Sequence, residues 1–446
     1  MWVSQTSPHL VPHICLLLAD VGPRANVNFP ELPLIFTGAR SCAFAIHFSV
    51  PRSHAMYTRC EFDAAHETEF FAALPAGPAV FALRPLVEGA EPYVAKTANL
   101  RRRLTRLLAP AEGRRLSLRE RVSAVEYCEV GSDFEAGFEL YRLLRAEFPS
   151  KYAERMHLRP APLVQMLREN PYPRLTVTSR IRSLRTANSY FGPFATRAEA
   201  EQYSSDSLDF FLLRRCTDDL SPDPAFPGCV YSEMKMCLAP CFKGCTDERY
   251  AEEASRVERY LESGGHSLLV EISRARDEAS ERLEFEAAAA AHARLEKLKS
   301  VQSRIGEIVH RIDRLNGVLL QPSHRAGQIA IFRIAAGMIH GPLHFDVLQS
   351  AAGSSMEARI SELLATAEIA TPKSAQEWME HLAILKRWYY RTSKTGEIFF
   401  EDDEGALPMR RIVRAVRRVF NGEKPAGDLS ETAGDYWRFR GKEAGI

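Results

Sequence analysis

Two spacings of apolar residues run through this chain, and the places where one gives way to the other outline its elements. Ala79 to Arg84 and Pro92 to Lys96 alternate as short β-runs separated by an EGAEP turn. Glu67 to Leu74 has the helical spacing and closes at LPAGPA. Asn99 to Leu108 reads as a helix with Arg101, Arg102, Arg103 and Arg106 on its surface. Val125 to Val130 reads as a strand, and Phe134 to Phe148 as a helix that stops at Pro149. Residues 75–152 are therefore expected to form an α/β unit of order ββαβα. Further on, Tyr172 to Arg182 reads as a strand, SYFGPF (Ser189 to Phe194) as a turn, and Thr196 to Leu213 as a helix. Asp247 to Glu262 is helical, and Ser267 to Arg304 has helical composition after a Gly-Gly break. In residues 306–446, strands at Gly317 to Leu320, Gln328 to Arg333 and Met338 to Phe345 accompany helices at Gln376 to Arg391 and Met409 to Phe420. The expected class is α+β and multidomain, because 446 residues exceed what one hydrophobic core usually serves.

Composition changes this picture little, whereas charge distribution changes it locally. A net charge of +1 gives no overall steering toward polyanions. Yet Asn99 to Arg121 holds eight arginines against two glutamates, and MRRIVRAVRR holds five more (Arg410, Arg411, Arg414, Arg417 and Arg418) with no acid. Such runs are the local footprint of phosphate binding, or else solvated helix faces. No run reaches the roughly 18 apolar residues a membrane span needs. ICLLLADV lacks a basic flank and makes a poor signal peptide. A cytoplasmic protein with no membrane partner is expected. Residues before Met56 show no clear period and read as an upstream extension or a start-site error.

Candidate chemistry concentrates in RRCTDDLSPDPAFPGCVYSEMKMCLAPC. Cys216, Cys229, Cys237 and Cys241 follow a C-x12-C-x7-C-x3-C spacing. Four thiolates converging on one point make a metal or iron–sulfur site, and zinc ribbons usually use tighter C-x2-C pairs. Buried apolar cysteines are the bland alternative. A disulfide framework suits small secreted chains rather than this one. Cys245 extends an i, i+4, i+8 row with Cys237 and Cys241, but Pro240 disfavours a helix through that row.

Over residues 70 to 305 these pieces, in this order, resemble the UvrC-type subunit of the bacterial nucleotide-excision-repair nuclease. SYFGPF followed by the cysteine array ending in CLAPC carries the resemblance. It implies a four-iron, four-sulfur cluster on Cys216, Cys229, Cys237 and Cys241, with zinc as the alternative, and leaves Cys245 out. LEFEAAAAAHARLEKL looks like the UVR motif, a helical hairpin that docks a like hairpin of a UvrB partner. Leu283, Phe285, Leu295 and Leu298 would then present the docking stripe. The implied regions are an N-terminal extension (1–69), a GIY-YIG nuclease-like domain (70–155), a Cys-rich domain (156–250), a helical region with the UVR motif (251–305) and a C-terminal α+β domain (306–446).

The nuclease-like segment departs from its family. YVAKTANLRRRL retains Tyr93, Lys96, Asn99 and Arg103, but the family's first tyrosine falls on Phe81 and another on Leu107. Phe81 has no hydroxyl to relay a proton. The family's metal-binding glutamate falls on Leu140, and an aliphatic side chain cannot ligate a hard divalent ion. Glu139 lies one residue away, about 100° around a helix. Residues 306–446 show no Asp/Asp/His nuclease set and no paired hairpin motif, and Asp402, Asp403 and Glu404 read as a solvated turn. The resemblance implies a DNA-repair protein that binds DNA, partly through its arginine runs, and a UvrB-like partner, with its nuclease lost. An active endonuclease needing magnesium, its metal site rescued by Glu139 or another acid, and a pure partner-binding module are the alternatives.

Overall fold

The computed structural model describes residues 48–52, 55–110, 118–349 and 354–424. Three antiparallel sheets organise them. The first holds β1 (Phe48–Arg52), β2 (Ala55–Glu61), β3 (Ala79–Pro85), β4 (Tyr93–Thr97) and β5 (Val122–Glu129), in the order β1-β2-β5-β3-β4. Helices α1 (Glu67–Ala73), α2 (Leu100–Leu107), α3 (Asp133–Glu147) and α4 (Tyr152–Met156) complete the region. Each sheet face builds its own core. Phe81, Leu83 and Val125 pack under Leu100 and Leu104 of α2, while Val80 and Ala82 face Ala136 and Leu143 of α3. The ββαβα order is present as β3-β4-α2-β5-α3. The sheet begins earlier than the sequence boundary at residue 70, however. β2 pairs with β5 from Thr58↔Tyr127 to Glu61↔Ala124, and Tyr57 and Cys60 are buried on opposite faces. A strand covered on both sides shows no polar alternation, so its pattern is faint. Of the expected extension, residues 1–47 lie outside the described residues.

Local chemistry fixes where the helices start. The Asn99 side chain accepts from the Arg102 N–H at 2.8 Å and Ser132 from the Glu135 N–H at 3.1 Å, capping α2 and α3.

The second sheet, β7-β6-β8-β9, contains β6 (Leu163–Leu167), β7 (Arg174–Thr178), β8 (Ser189–Gly192) and β9 (His310–Arg311). Between β8 and β9 come α5 (Arg197–Leu208), α6 (Val230–Glu233), α7 (Asp247–Glu262), α8 (His266–Glu281) and α9 (Phe285–Gln302). SYFGPF is thus not the expected turn, since its first four residues are a strand. Tyr190 enters one core and Phe191 another, so burial on both faces hides the strand period. Gly192 has φ 155°, and a Cβ there would stand 2.6 Å from Leu163 Cδ2, so this close approach needs glycine. The expected Thr196 to Leu213 helix ends at Leu208, and Phe210, Phe211 and Leu213 enter the core without helical pairing.

The third sheet, β12-β11-β10-β13, holds β10 (Gly317–Pro322), β11 (Gln328–Ala335), β12 (Met338–Asp346) and β13 (Glu397–Phe400), with α10 (Met356–Ala365), α11 (Ala375–Tyr389) and α12 (Met409–Asn421). Val318, Leu320 and Ile331 pack against Ile360, Ile412 and Val416 on one face. Leu319, Phe332 and Ile334 face α11 on the other, and α3 joins them there through Phe134, Phe138 and Tyr141. The Phe134 and Phe332 rings meet edge-to-face at 5.0 Å. Tyr141 and Tyr152 both donate to Glu380 of α11, at 2.8 and 2.9 Å. At the β5–α3 turn, a Cβ on Gly131 would lie 2.2 Å from the Pro322 carbonyl oxygen, so only glycine lets the two regions touch there. Helix α3 is therefore shared between the first and third sheets. No helix among the described residues is long and apolar enough to cross a membrane.

Candidate functional site

The cysteine segment is held by loops rather than by regular structure. Cys216 follows the end of α5, Cys229 caps α6, and Cys241 lies in a single 3-10 turn, Pro240–Phe242. Six non-glycine residues among the described ones have positive φ, and three of them, Lys235, Ala239 and Lys243, bracket Cys237 and Cys241. Left-handed backbone at such residues is costly and persists where the surroundings enforce it. None of the four cysteines is in a disulfide. Burial pushes the Cys237 thiol up, and the charges of Cys229, Cys241 and Cys216 add to that push; the Ala239 N–H opposes it. Cys241 is likewise raised by burial and then by Cys229 and Cys216. The Cys245 thiol is raised by burial and then by the charges of Asp247 and Cys241, and it packs toward the second-sheet core. The four thiols thus form one electrostatic set, with Cys245 at its margin. Among the described residues, no group of three or more His, Cys, Asp or Glu is placed to hold a metal ion.

Around the first sheet, the residues expected at a nuclease-like site separate. Strand β4 alternates, so Tyr93 and Ala95 lie on the α2 side and Val94 and Lys96 on the α3 side. On the first side, Arg103 Nη2 donates to the Tyr93 hydroxyl at 3.3 Å, above a fully buried Phe81. Leu107 packs into the same core. On the second side, Lys96 Nζ pairs with Asp133 Oδ1 at 2.5 Å, and Arg391 pairs with the other oxygen of Asp133. Burial raises the Asp133 carboxyl, but Lys96 and Arg391 outweigh it and hold the group below the usual range. Leu140 packs with Val94 between α3 and its neighbouring cores. Glu139 is turned inward, where the Tyr57 hydroxyl donates to its Oε1 at 2.7 Å and Arg142 lies 3.7 Å away.

The helical hairpin of α8 and α9 divides the expected docking stripe. Leu295 and Leu298 are buried in the second-sheet core and are not available to a partner, which corrects the four-residue stripe. Leu283 (69% exposed, φ 60°) and Phe285 (70% exposed) stand free at the hairpin tip. Periodicity placed all four on one apolar face, but the chain's own core takes the part of that face farther from the tip.

The arginine runs also divide. Arg101 donates to the carbonyls of Leu74 and Ala72 and so caps α1. Arg102 and Arg106 stand exposed beside an open depression lined also by Asn99 and Thr105. On α12, Ile412, Ala415, Val416 and Val419 are buried, while Arg410, Arg411, Arg414 and Arg417 are exposed. Arg418 is drawn back into a two-bond pair with Glu397, both bonds 2.8 Å. Asp402, Asp403 and Glu404 are exposed in a turn after β13, as expected.

Comparison with known proteins bears on the middle of the chain. Residues 162–260 match the family described as UvrC/Cho excinuclease, middle domain. That stretch is similar to the UvrC type. Two similar relatives are the UvrABC system proteins C of Rickettsia bellii, 28% identical over 250 residues, and of Rickettsia canadensis, 26% identical over 262. The matches cover 54% and 57% of this chain but only 38% and 40% of those relatives. No solved structure matches the chain.

The matched stretch contains the whole cysteine array and the strand SYFG. It also contains a residue that sequence reasoning passed over. Arg214, two positions before Cys216, is 2% exposed, and its Nη1 lies 3.6 Å from the Cys216 sulfur. Beside a second arginine, in RRC, nothing in the sequence separates it from an ordinary surface charge.

Proposed function

We propose that this chain is a UvrC-like DNA-repair protein of the nucleotide-excision class. It binds DNA and a UvrB-like partner, holds an iron–sulfur cluster, and does not cut. The observation that carries the loss of cutting is that apolar side chains packed into the cores, Phe81 and Leu140, stand where the family resemblance expects a tyrosine and a metal-binding glutamate. Tyr93 and Arg103 lie on one side, Lys96 and Asp133 on the other, and Leu140 fills the metal position. Phosphodiester cleavage by a bound divalent ion needs oxygen ligands beside the attacking water. Glu139 is engaged with Tyr57 and Arg142, and Asp133 with two cations, which disfavours rescue by either acid.

The cluster reading is supported by the C-x12-C-x7-C-x3-C spacing, by the absence of a disulfide among the four cysteines and by the left-handed backbone that brackets Cys237 and Cys241. One tetrahedral zinc ion brings its sulfurs to about 2.3 Å from the metal and hence roughly 4 Å from each other. Cys216, Cys229, Cys237 and Cys241 would hold the cluster, and when bound it would cross-link a segment that has little regular structure of its own.

Partner binding would rest on the hairpin tip. Two large apolar side chains exposed side by side on a rigid hairpin are an anchor for a partner helix. The test is capture of a UvrB-like protein by the wild-type chain and by Leu283→Ala/Phe285→Ala. Both side chains are largely exposed, so the variant should keep its unfolding temperature and lose most of its capture. Equal capture by the two proteins removes the tip from the account.

A further inference from the structure

Where α5 and the end of α9 meet the end of α11, the chain forms a cavity of about 80 Å³. Its apolar lining comes from Phe194, Tyr203, Val301 and Tyr390. Its polar lining comes from one face of α5, where Glu199, Gln202 and Asp206 recur at i, i+3 and i+7, and from Arg304 just past α9. The Tyr390 hydroxyl donates to the Pro193 carbonyl at 3.0 Å. A Cβ on Gly306 would stand 2.9 Å from the Tyr389 ring and 3.3 Å from the Tyr390 hydroxyl, so both rings lie close against the chain here.

The hydrogen-bonding capacity around this cavity is unevenly spent. One oxygen of Asp206 accepts from Gln202 Nε2 at 2.7 Å and the other from Arg304 Nη2 at 2.6 Å. Arg304 Nε donates to the Ser300 carbonyl at 3.2 Å. Gln202 is left with its carbonyl oxygen and Tyr390 with its hydroxyl lone pairs. The Glu199 carboxylate makes no hydrogen bond or ion pair among the described residues. Lys386, one turn before Tyr390 on α11, feels the Glu199 charge without forming an ion pair, and burial and Arg159 hold its ammonium below the usual range. Apart from the outer N–H groups of Arg304, what remains free around the cavity accepts, and two carboxylates line it against one guanidinium. A matching ligand donates hydrogen bonds and carries positive charge. The apolar lining calls for a hydrocarbon stem behind that charge, and aromatic rings are favourable neighbours for a cation. A cavity that takes up benzene measures about 150 Å³, so a nucleobase is too large to be enclosed here. We propose that this cavity binds a cationic group on a short alkyl stem, an ammonium or a guanidinium, with Glu199 as its counter-charge. The site shares no residue with the cysteine segment, the hairpin tip or the arginine runs, so it stands or falls independently of them.

The test titrates the full chain with n-butylammonium, n-butylguanidinium and neutral 1-butanol, and reads binding from the ligand signals by saturation-transfer NMR. Both cations should bind, and 1-butanol should bind about fivefold more weakly or less. Glu199→Gln should weaken cation binding about two- to fivefold and leave 1-butanol unchanged. Arg304→Gln removes the like charge and frees Asp206, so it should strengthen cation binding by a similar factor. Both side chains are exposed, so both variants should keep the wild-type unfolding temperature. If Arg304→Gln does not, Glu199→Gln decides alone. A blocked arginine amide, titrated in parallel, distinguishes the sources of the cation. Tighter binding than n-butylguanidinium supports a protein side chain as the occupant, and weaker binding supports a free alkyl cation. Equal binding of 1-butanol and the cations would mean an apolar hole without charge selection and overturns the proposal. Cation binding that neither substitution moves, no cation binding at all, or tighter binding of cytidine than of every cation overturns it as well.

Discussion

Glu135 shows how a single side chain records the burial of α3. Burial pushes its carboxyl up to about 7; the Gly131 N–H, at 2.7 Å, opposes the shift and the neighbouring Glu139 charge adds to it. A carboxyl raised above its unfolded value near 4.3 binds its proton more tightly in the fold. Its contribution to stability is complete below that unfolded value and is lost as pH rises through about 7. Glu135→Gln keeps an acceptor for Gly131 and has no proton to lose. Thermal unfolding should show little difference between the two proteins at pH 4, below the unfolded value. At pH 8 the variant should be more stable, by on the order of 3 kcal/mol at most. An equal difference at both pH values would contradict this reading. At this scale the sequence was most legible where chemistry is local. The spacing of Cys216, Cys229, Cys237 and Cys241 names a thiol set before any fold is known. Arg214 was not legible, because nothing local separates it from Arg215 beside it, which pairs with Asp209.

Among the elements, α12 was read well, because one side of its pattern is wholly apolar and the other wholly arginine. Arg410, Arg414 and Arg417 have no ion pair among the described residues, whereas Arg418 is tied to Glu397. Replacing Arg410, Arg414 and Arg417 with glutamine should weaken duplex DNA binding. It should also flatten the dependence of log affinity on log salt by about 0.9 for each phosphate that is no longer neutralised. Unchanged affinity and slope in a titration from low to moderate salt would remove α12 from the DNA surface. Strand β8 and the α9 stripe were read less well, for one shared reason. Periodicity reports which positions are apolar, not which body covers them. Tyr190 and Phe191 are covered on opposite faces, and that erases alternation. Leu295 and Leu298 are covered by this chain, while Leu283 and Phe285 are left largely exposed.

For the molecule as a whole, α3 is the element on which the functional reading turns. One side of it packs on the first sheet through Ala136 and Leu143, and the other is built into the core of the third sheet through Phe134, Phe138 and Tyr141. Leu140 lies where these surfaces meet Val94, and Asp133 at the start of the helix joins Lys96 to Arg391. The position where the resemblance expects a metal ligand, Leu140, is part of a joint between regions. Substitution of Phe81, Leu107 and Leu140 was visible in the sequence, but this joint was not, because it depends on contacts between residues more than two hundred positions apart. The most direct measurement is incision of a damaged duplex by the purified chain with magnesium or manganese, alongside Lys96→Ala and Arg103→Ala. The account predicts no metal-dependent nicking by any of the three proteins. Nicking by the wild type that disappears in both variants would contradict it.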